Sequence, residues 1–177
     1  NTCVVRESAE NKVRGYLSSL KRVKQRRPDM VLAVMGCFVG IEPLPDDLQG
    51  RYPYVDLWLP PSRYEQLLER LPTVENSAAA SLASPVARCV TIMQGCNNFC
   101  SYCIVPYRRG REHSRPIGDV VAECRSLAAA GAREVTLLGQ NVDSYGHDLP
   151  DRPSLAALLR AVHEVPDLWR LRFLTNH

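Results

Sequence analysis

The chain has 177 residues, 45% hydrophobic and 23% charged, with 22 Lys and Arg against 19 Asp and Glu for a net charge of +3. That length suits one or two domains with a real core, and so mild a charge does not by itself call for nucleic acid. No apolar run of about 18 residues exists to span a bilayer, no basic-then-apolar leader opens the chain, and seven cysteines, an odd number, favour reduced thiols or metal ligation over a disulfide framework. A cytoplasmic location is expected.

Residues 1–71 read as an α/β unit. Asn1 to Val5 has the character of a strand end, and Val13, Leu17, Leu20 and Val23 recur at helical spacing, which predicts a helix reaching about Arg27, before Pro28. This helix carries Arg14, Lys21, Arg22, Lys24, Arg26 and Arg27. A solvated face explains them, and a phosphate-tracking surface is the sharper alternative, with no aromatic residues interleaved to support base stacking. Met30 to Met35 is wholly apolar and β-branched in part, as a buried parallel strand is. Tyr54 to Leu59 predicts another strand and Ser62 to Leu71 a helix, with Ser62 and Glu65 as its capping box. Strands alternating with helices imply a parallel sheet, whose ligand sites lie beyond the carboxyl ends of its strands. Cys3 and Cys37 fall at such ends, so two cysteines far apart in sequence are expected as spatial neighbours. The alternative is that each is a small buried hydrophobe.

Residues 72–87, rich in Ala and Ser, predict a linker. Residues 88–177 then show strands at Arg88–Met93, Arg133–Leu138 and Leu168–Thr175. Helices are expected from Pro116 to the cap at Gly131, and from Ser154 to Val165 before Pro166. This βαβαβ run reads as the start of a parallel barrel, whose site gathers at the C-terminal ends of the strands. The loops following Met93 and Leu138 both lie there. Cys89 and Cys124 are expected in the core, and His113, His147 and His163 on the surface without metal-ligand spacing.

Cys96, Cys100 and Cys103 stand at spacings of four and three in Gly95-Cys96-Asn97-Asn98-Phe99-Cys100-Ser101-Tyr102-Cys103. Small Gly, Asn and Ser residues among them let the backbone curl until three sulfurs face one centre. Thiolates are soft ligands and hold iron–sulfur clusters. Three thiolates leave one iron of a cubane open to chelate a substrate, whereas an electron carrier caps all its irons. A zinc site with a fourth ligand from elsewhere, or three unrelated thiols, are the plainer readings.

The spacing, with Tyr102 before the last cysteine, resembles the radical S-adenosylmethionine (SAM) superfamily. The flanking Gln94-Gly95, the run Ile104 to Arg115 and the segment Leu138-Gly139-Gln140-Asn141-Val142 are similar to its methylthiotransferase family. Asn1 to Ala9 and Met35-Gly36-Cys37 resemble two of the three cysteine motifs in that family's N-terminal domain. The resemblance implies a flavodoxin- or Rossmann-like parallel-sheet domain over 1–71, incomplete here, followed over 88–177 by the first half of a (β/α)6 partial TIM barrel. Because that family is longer at both ends, the chain is expected to be a fragment. Two [4Fe–4S] clusters are implied: one on Cys96, Cys100 and Cys103, and an auxiliary one on Cys3, Cys37 and a third cysteine outside this chain. SAM would be cleaved reductively at the first cluster to a hydrogen-abstracting radical, sulfur would come from the auxiliary site, and a second SAM would supply a methyl group. Tyr102 would contact the adenine, and Gly139, Gln140 and Asn141 would line the SAM pocket. Arg108, Arg109, Arg111 and Arg115 read either as a generic basic loop or as contacts to a tRNA backbone or the SAM carboxylate, and Glu112 is expected to pair with one of them.

The implied substrate is N6-(dimethylallyl)adenosine in the anticodon stem-loop of tRNA, where a loop base can be splayed into a pocket. A flavodoxin or ferredoxin as electron donor, a sulfur donor, and a monomer are implied with it. The same chemistry on threonylcarbamoyl-adenosine or on a ribosomal-protein aspartate stays open, although Asn141-Val142 stands where the latter branch has an Asp-Thr-like pair. A non-catalytic iron–sulfur electron carrier is the reading from another class, and it lacks a fourth cysteine near the loop beyond Cys89.

Overall fold

Helix α1 (Glu7–Arg26) opens the computed structural model, with Glu7 and Glu10 in its first turn and Lys24 and Arg26 in its last, each favourable to the helix dipole. The structure describes residues 2–4, 6–41, 46–61, 63, 66–67 and 86–174. The capping box at Ser62 and Glu65 and all but the end of the expected linker lie outside these residues. The described residues fall into two units, Asn1–Thr73 with Asn98–Gly110, and Val74–Asn97 with Arg111–His177.

In the first unit, β1 (Ala33–Met35) pairs in parallel with β2 (Leu57–Leu59), and Thr2 forms a parallel bridge to Gly36 on the other side of β1. Both strands are shorter than their apolar runs suggested. The reason is local: Leu32 N–H donates to the Asp56 carboxylate at 2.7 Å, and Lys24 Nζ reaches the same carboxylate at 2.8 Å and the Met30 carbonyl at 2.5 Å. A side-chain network thus occupies backbone groups that a longer ladder would have used. Helix α2 (Asp46–Arg51), unforeseen in the sequence, buries Leu48, which joins Val4, Leu17, Val34, Phe38, Val39, Tyr52 and Val55 in one core. A further short helix in this unit, α3 (Val105–Arg109), has Pro106 in its first turn, where a missing N–H costs nothing.

In the second unit, β3 (Ala87–Thr91), β6 (Glu134–Leu138) and β7 (Arg170–Leu174) form a parallel sheet in that order. The expected first strand does not run on to Met93. Ile92 donates to the Leu138 carbonyl and accepts from Arg115 N–H, and the chain then pairs as β4 (Met93–Gln94) antiparallel to β5 (His113–Ser114). Helices α4 (Ile117–Ala129) and α5 (Leu155–His163) join the parallel strands, the latter capped by Ser154, whose Oγ accepts from Ala157 N–H. Val90, Val135 and Leu137 pack beneath Val120, Cys124, Leu158 and Val162. Cys124 is core as expected, and burial pushes its thiol up to about 11. Cys89 is not core: it alternates with buried Val90 and lies exposed on the opposite face of the sheet. The architecture is mixed α/β with parallel sheets.

Candidate functional site

The turn that begins the three-cysteine motif is held by hydrogen bonds from distant residues. Gly95 leaves β4 with φ +77°, a left-handed turn that suits glycine, and its N–H donates to Gln140 Oε1 at 2.7 Å. Cys96 is buried. Asn97 donates its backbone N–H to Glu112 Oε1 (3.2 Å) and its side-chain amide to Oε2 (3.3 Å), while its Oδ1 accepts from Glu112 N–H (3.3 Å). Ser144 Oγ, in the 3-10 turn Val142–Ser144, lies 2.8 Å from Glu112 Oε1. Glu112 ties this turn to the segment after β6.

The residues around that segment divide between packing and polar roles. A Cβ on Gly139 would stand 2.6 Å from Met93 Cγ and 3.1 Å from Val142 Cγ1, so glycine is what lets the loop close over β4. Asn141 is buried. Arg115 bonds the Thr91 carbonyl (2.7 Å) and Glu123 (2.6 Å), whereas Arg111 is exposed.

In the other unit, Cys103 N–H donates to the Cys100 carbonyl at 2.9 Å, closing a tight turn with both thiols half-buried. Tyr102 is 90% exposed, free to meet a planar ligand. Phe99 adopts φ +49°, and its ring meets Tyr107 edge-on at 5.6 Å.

The same unit holds Cys3 and Cys37. The bridge between Thr2 and Gly36 brings these two cysteines, each the next residue on, to neighbouring positions, Cys37 buried and Cys3 exposed. Thr2 fixes the arrangement: its hydroxyl donates to Met35 O (2.7 Å) and accepts from Phe38 N–H (3.2 Å). Gly36, like Gly95, turns with positive φ immediately before a cysteine. The end of α3 runs beside this turn. Arg109 Nε–H donates to Cys37 Sγ at 3.1 Å, and a Cβ added to Gly40 would stand 3.5 Å from Arg108 Nη1. Among the described residues no three Cys, His, Asp or Glu side chains gather closely enough to hold a metal ion.

Residues 90–177 match the model of the Radical SAM superfamily, and residues 1–60 match that of Uncharacterized protein family UPF0004. The chain belongs to the radical SAM superfamily. Over its full length it is 49% identical to a tRNA-2-methylthio-N(6)-dimethylallyladenosine synthase of Dehalococcoides mccartyi (strain CBDB1). It is 48% identical to the protein of that name in Roseiflexus sp. (strain RS-1) and 43% to that of Clostridium beijerinckii (strain ATCC 51743 / NCIMB 8052). This radical SAM chain spans 41%, 38% and 43% of the lengths of those three relatives.

Superfamily membership implies SAM and a [4Fe–4S] cluster. The donor set fits by its chemistry: Cys96, Cys100 and Cys103 are three free thiols within eight residues, with Gly95 supplying the turn that such a loop needs. No helix among the described residues is long and apolar enough to cross a membrane. The sequence pointed to the cysteines but not to the side chains that hold their loops. Gln140 was singled out for the SAM pocket, yet its observed bond is to the Gly95 backbone. The partners of Glu112 in Asn97, of Ser144 in Glu112 and of Thr2 in Phe38 are not legible in the sequence, because each lies at least 15 residues away.

Proposed function

We propose that this chain is part of a tRNA methylthiotransferase of the MiaB type, which inserts sulfur and a methyl group at C2 of N6-(dimethylallyl)adenosine beside the anticodon. The observation that carries the reading is the three-cysteine loop inside a radical SAM domain, on a chain 43–49% identical along its whole length to synthases of that product. Cys96, Cys100 and Cys103 hold one [4Fe–4S] cluster; Cys3 and Cys37, with a cysteine beyond this chain, hold a second. A cluster with an open iron supplies one-electron cleavage of bound SAM, and hence a radical able to take hydrogen from an unactivated carbon.

The chain's own residues bind and orient around that chemistry. Exposed Tyr102 offers its ring to the adenine of SAM, and Gly139, Gln140 and Asn141 are candidates for contacts to SAM. Arg111 meets the phosphates of the anticodon stem-loop. Arg108, Arg109 and Arg115 belong to the same basic segment and are candidates for the same phosphates. Residues 88–177 form the opening strands of a (β/α)6 partial barrel, and residues 1–71 a flavodoxin-like domain. Reduced cysteines and a tRNA substrate are in keeping with a cytoplasmic monomer served by a flavodoxin or ferredoxin and by a sulfur donor.

The test is anaerobic reconstitution of the full-length protein that carries this chain, then reduction with SAM and assay of 5′-deoxyadenosine and of 2-methylthio product in tRNA. Both products are expected, and both are lost when Cys96, Cys100 and Cys103 become Ala. Zinc in place of iron, with no SAM cleavage, rejects the reading.

A further inference from the structure

We propose that Arg109 is a positioning residue for the auxiliary cluster, its guanidinium holding the sulfur of Cys37 and setting that cluster's reduction potential. The inference rests on the reading of Cys37 as a cluster ligand. Arg109 Nε–H donates to Cys37 Sγ at 3.1 Å, across 72 residues of sequence. Two neighbouring positions also come near. A Cβ on Gly40 would reach Arg108 and a Cβ on Gly110 would stand 3.5 Å from Ile41 Cγ2, so the C-terminal end of α3 runs beside the turn that Cys37 begins. Gly40 and Gly110 both have φ +80°, and a Cβ on Gly40 would sit 3.5 Å from Arg108 Nη1. Cys37 itself is 4% exposed, so water competes little for its sulfur.

A charged N–H donor on a buried ligating sulfur has a definite electrostatic consequence. It draws electron density from the thiolate and favours the form of the cluster carrying one more negative charge. The relevant change is uptake of one electron, from the reductant used as titrant, by a cluster passing from the 2+ to the 1+ state, with no bond made or broken. Arg109 therefore raises the potential at which the auxiliary site accepts an electron. The arginine stands six residues after Cys103, so the loop bearing two thiols of the SAM-binding motif also carries the group that tunes the other site.

The experiment uses the full-length protein with Cys96, Cys100 and Cys103 changed to Ala, leaving only the auxiliary cluster. Iron content, the EPR spectrum of the reduced cluster and its midpoint potential are compared with Arg109 intact, in Arg109→Met, in Arg109→Lys and in Cys37→Ala. Supporting results are unchanged iron in Arg109→Met, an altered EPR line shape and a reduction equilibrium about tenfold less favourable, which is about 59 mV more negative for a one-electron couple. Partial restoration by Arg109→Lys adds support. An unchanged potential at full iron content overturns the proposal and leaves Cys37 as a ligand. Iron lost in both Arg109 variants also overturns it, making the arginine a requirement for assembly. Iron retained in full by Cys37→Ala overturns the underlying reading of the site.

Discussion

The amide of Gly95 and the side chain of Gln140, 45 residues apart, are joined by a 2.7 Å hydrogen bond. Through it, the residue after β6 holds the turn from which the three-cysteine loop departs. The bond satisfies a backbone donor that is buried with Gly95 and would otherwise be left without a partner.

Gln140→Ala removes that acceptor and is expected to destabilise the C-terminal unit by about 1–3 kcal/mol, the cost of stranding a buried N–H. Thermal unfolding monitored by circular dichroism reads the loss, and iron bound at Cys96, Cys100 and Cys103 after reconstitution is expected to fall with it. A variant as stable as the parent and equally loaded with iron shows that the turn holds itself.

Both side-chain oxygens of Glu112 are used by Asn97 and one also by Ser144. Glu112→Ala should cost about 1.5–3 kcal/mol, in the range for hydrogen bonds to a charged group. Glu112→Gln keeps one carbonyl acceptor and should lose less. Urea midpoints for the two variants, measured side by side, decide whether the charge or only the oxygen matters.

Gly139 is required by packing. Gly139→Ala puts its new methyl against Val142 and against Met93, which is fully buried and would have to shift. Overpacking of this kind costs about 1–3 kcal/mol. Gly139→Ala combined with Met93→Ala opens room for the methyl, so the double variant should lose less than the sum of its parts. Additive losses would place the origin of the glycine elsewhere.

Acid should act on the N-terminal unit through Asp56. Lys24, and then the Leu32 N–H, hold its carboxyl below the usual carboxylate range. A carboxylate depressed in the folded state contributes stability in full above its unfolded value, near about 3.9, and loses it as pH falls through the lower folded value. Asp56→Asn should therefore be less stable than the parent at neutral pH, and the difference should shrink below about pH 4. The Lys24 side chain is 16% exposed and that of Asp56 39%, so the effect is modest and partly screened by salt. Denaturant unfolding at two pH values checks it, and a constant difference across that range would exclude Asp56 as the titrating group.

Legibility in the sequence followed the range of the interaction. The helix from Glu7 to Arg26 shows in the spacing of Val13, Leu17, Leu20 and Val23, because an amphipathic face repeats every three or four residues. Strands Glu134–Leu138 and Arg170–Leu174 lie within the predicted runs: the first alternates buried with half-buried residues, and the second, mostly exposed, shows in the apolar residues of its sequence. The break after Thr91 was not legible, because Ile92 is held by Leu138 and Arg115, residues that follow it by more than 20 positions. Cys89 was misread for a similar reason. Alternation shows that it opposes Val90 but not which face the helices cover.

The chemistry of this chain was written locally: three thiols at spacings of four and three, and a glycine before Cys37 and before Cys96, are set by neighbours in sequence. What the tertiary structure alone decided is which side chains hold those thiols in place. Gln140, Glu112, Ser144, Thr2 and Arg109 reach their partners across 15 to 72 residues. A hydrogen bond depends on distance and angle in space, and no periodicity of the chain encodes a contact whose two ends are brought together only by the packing of the sheet and its helices.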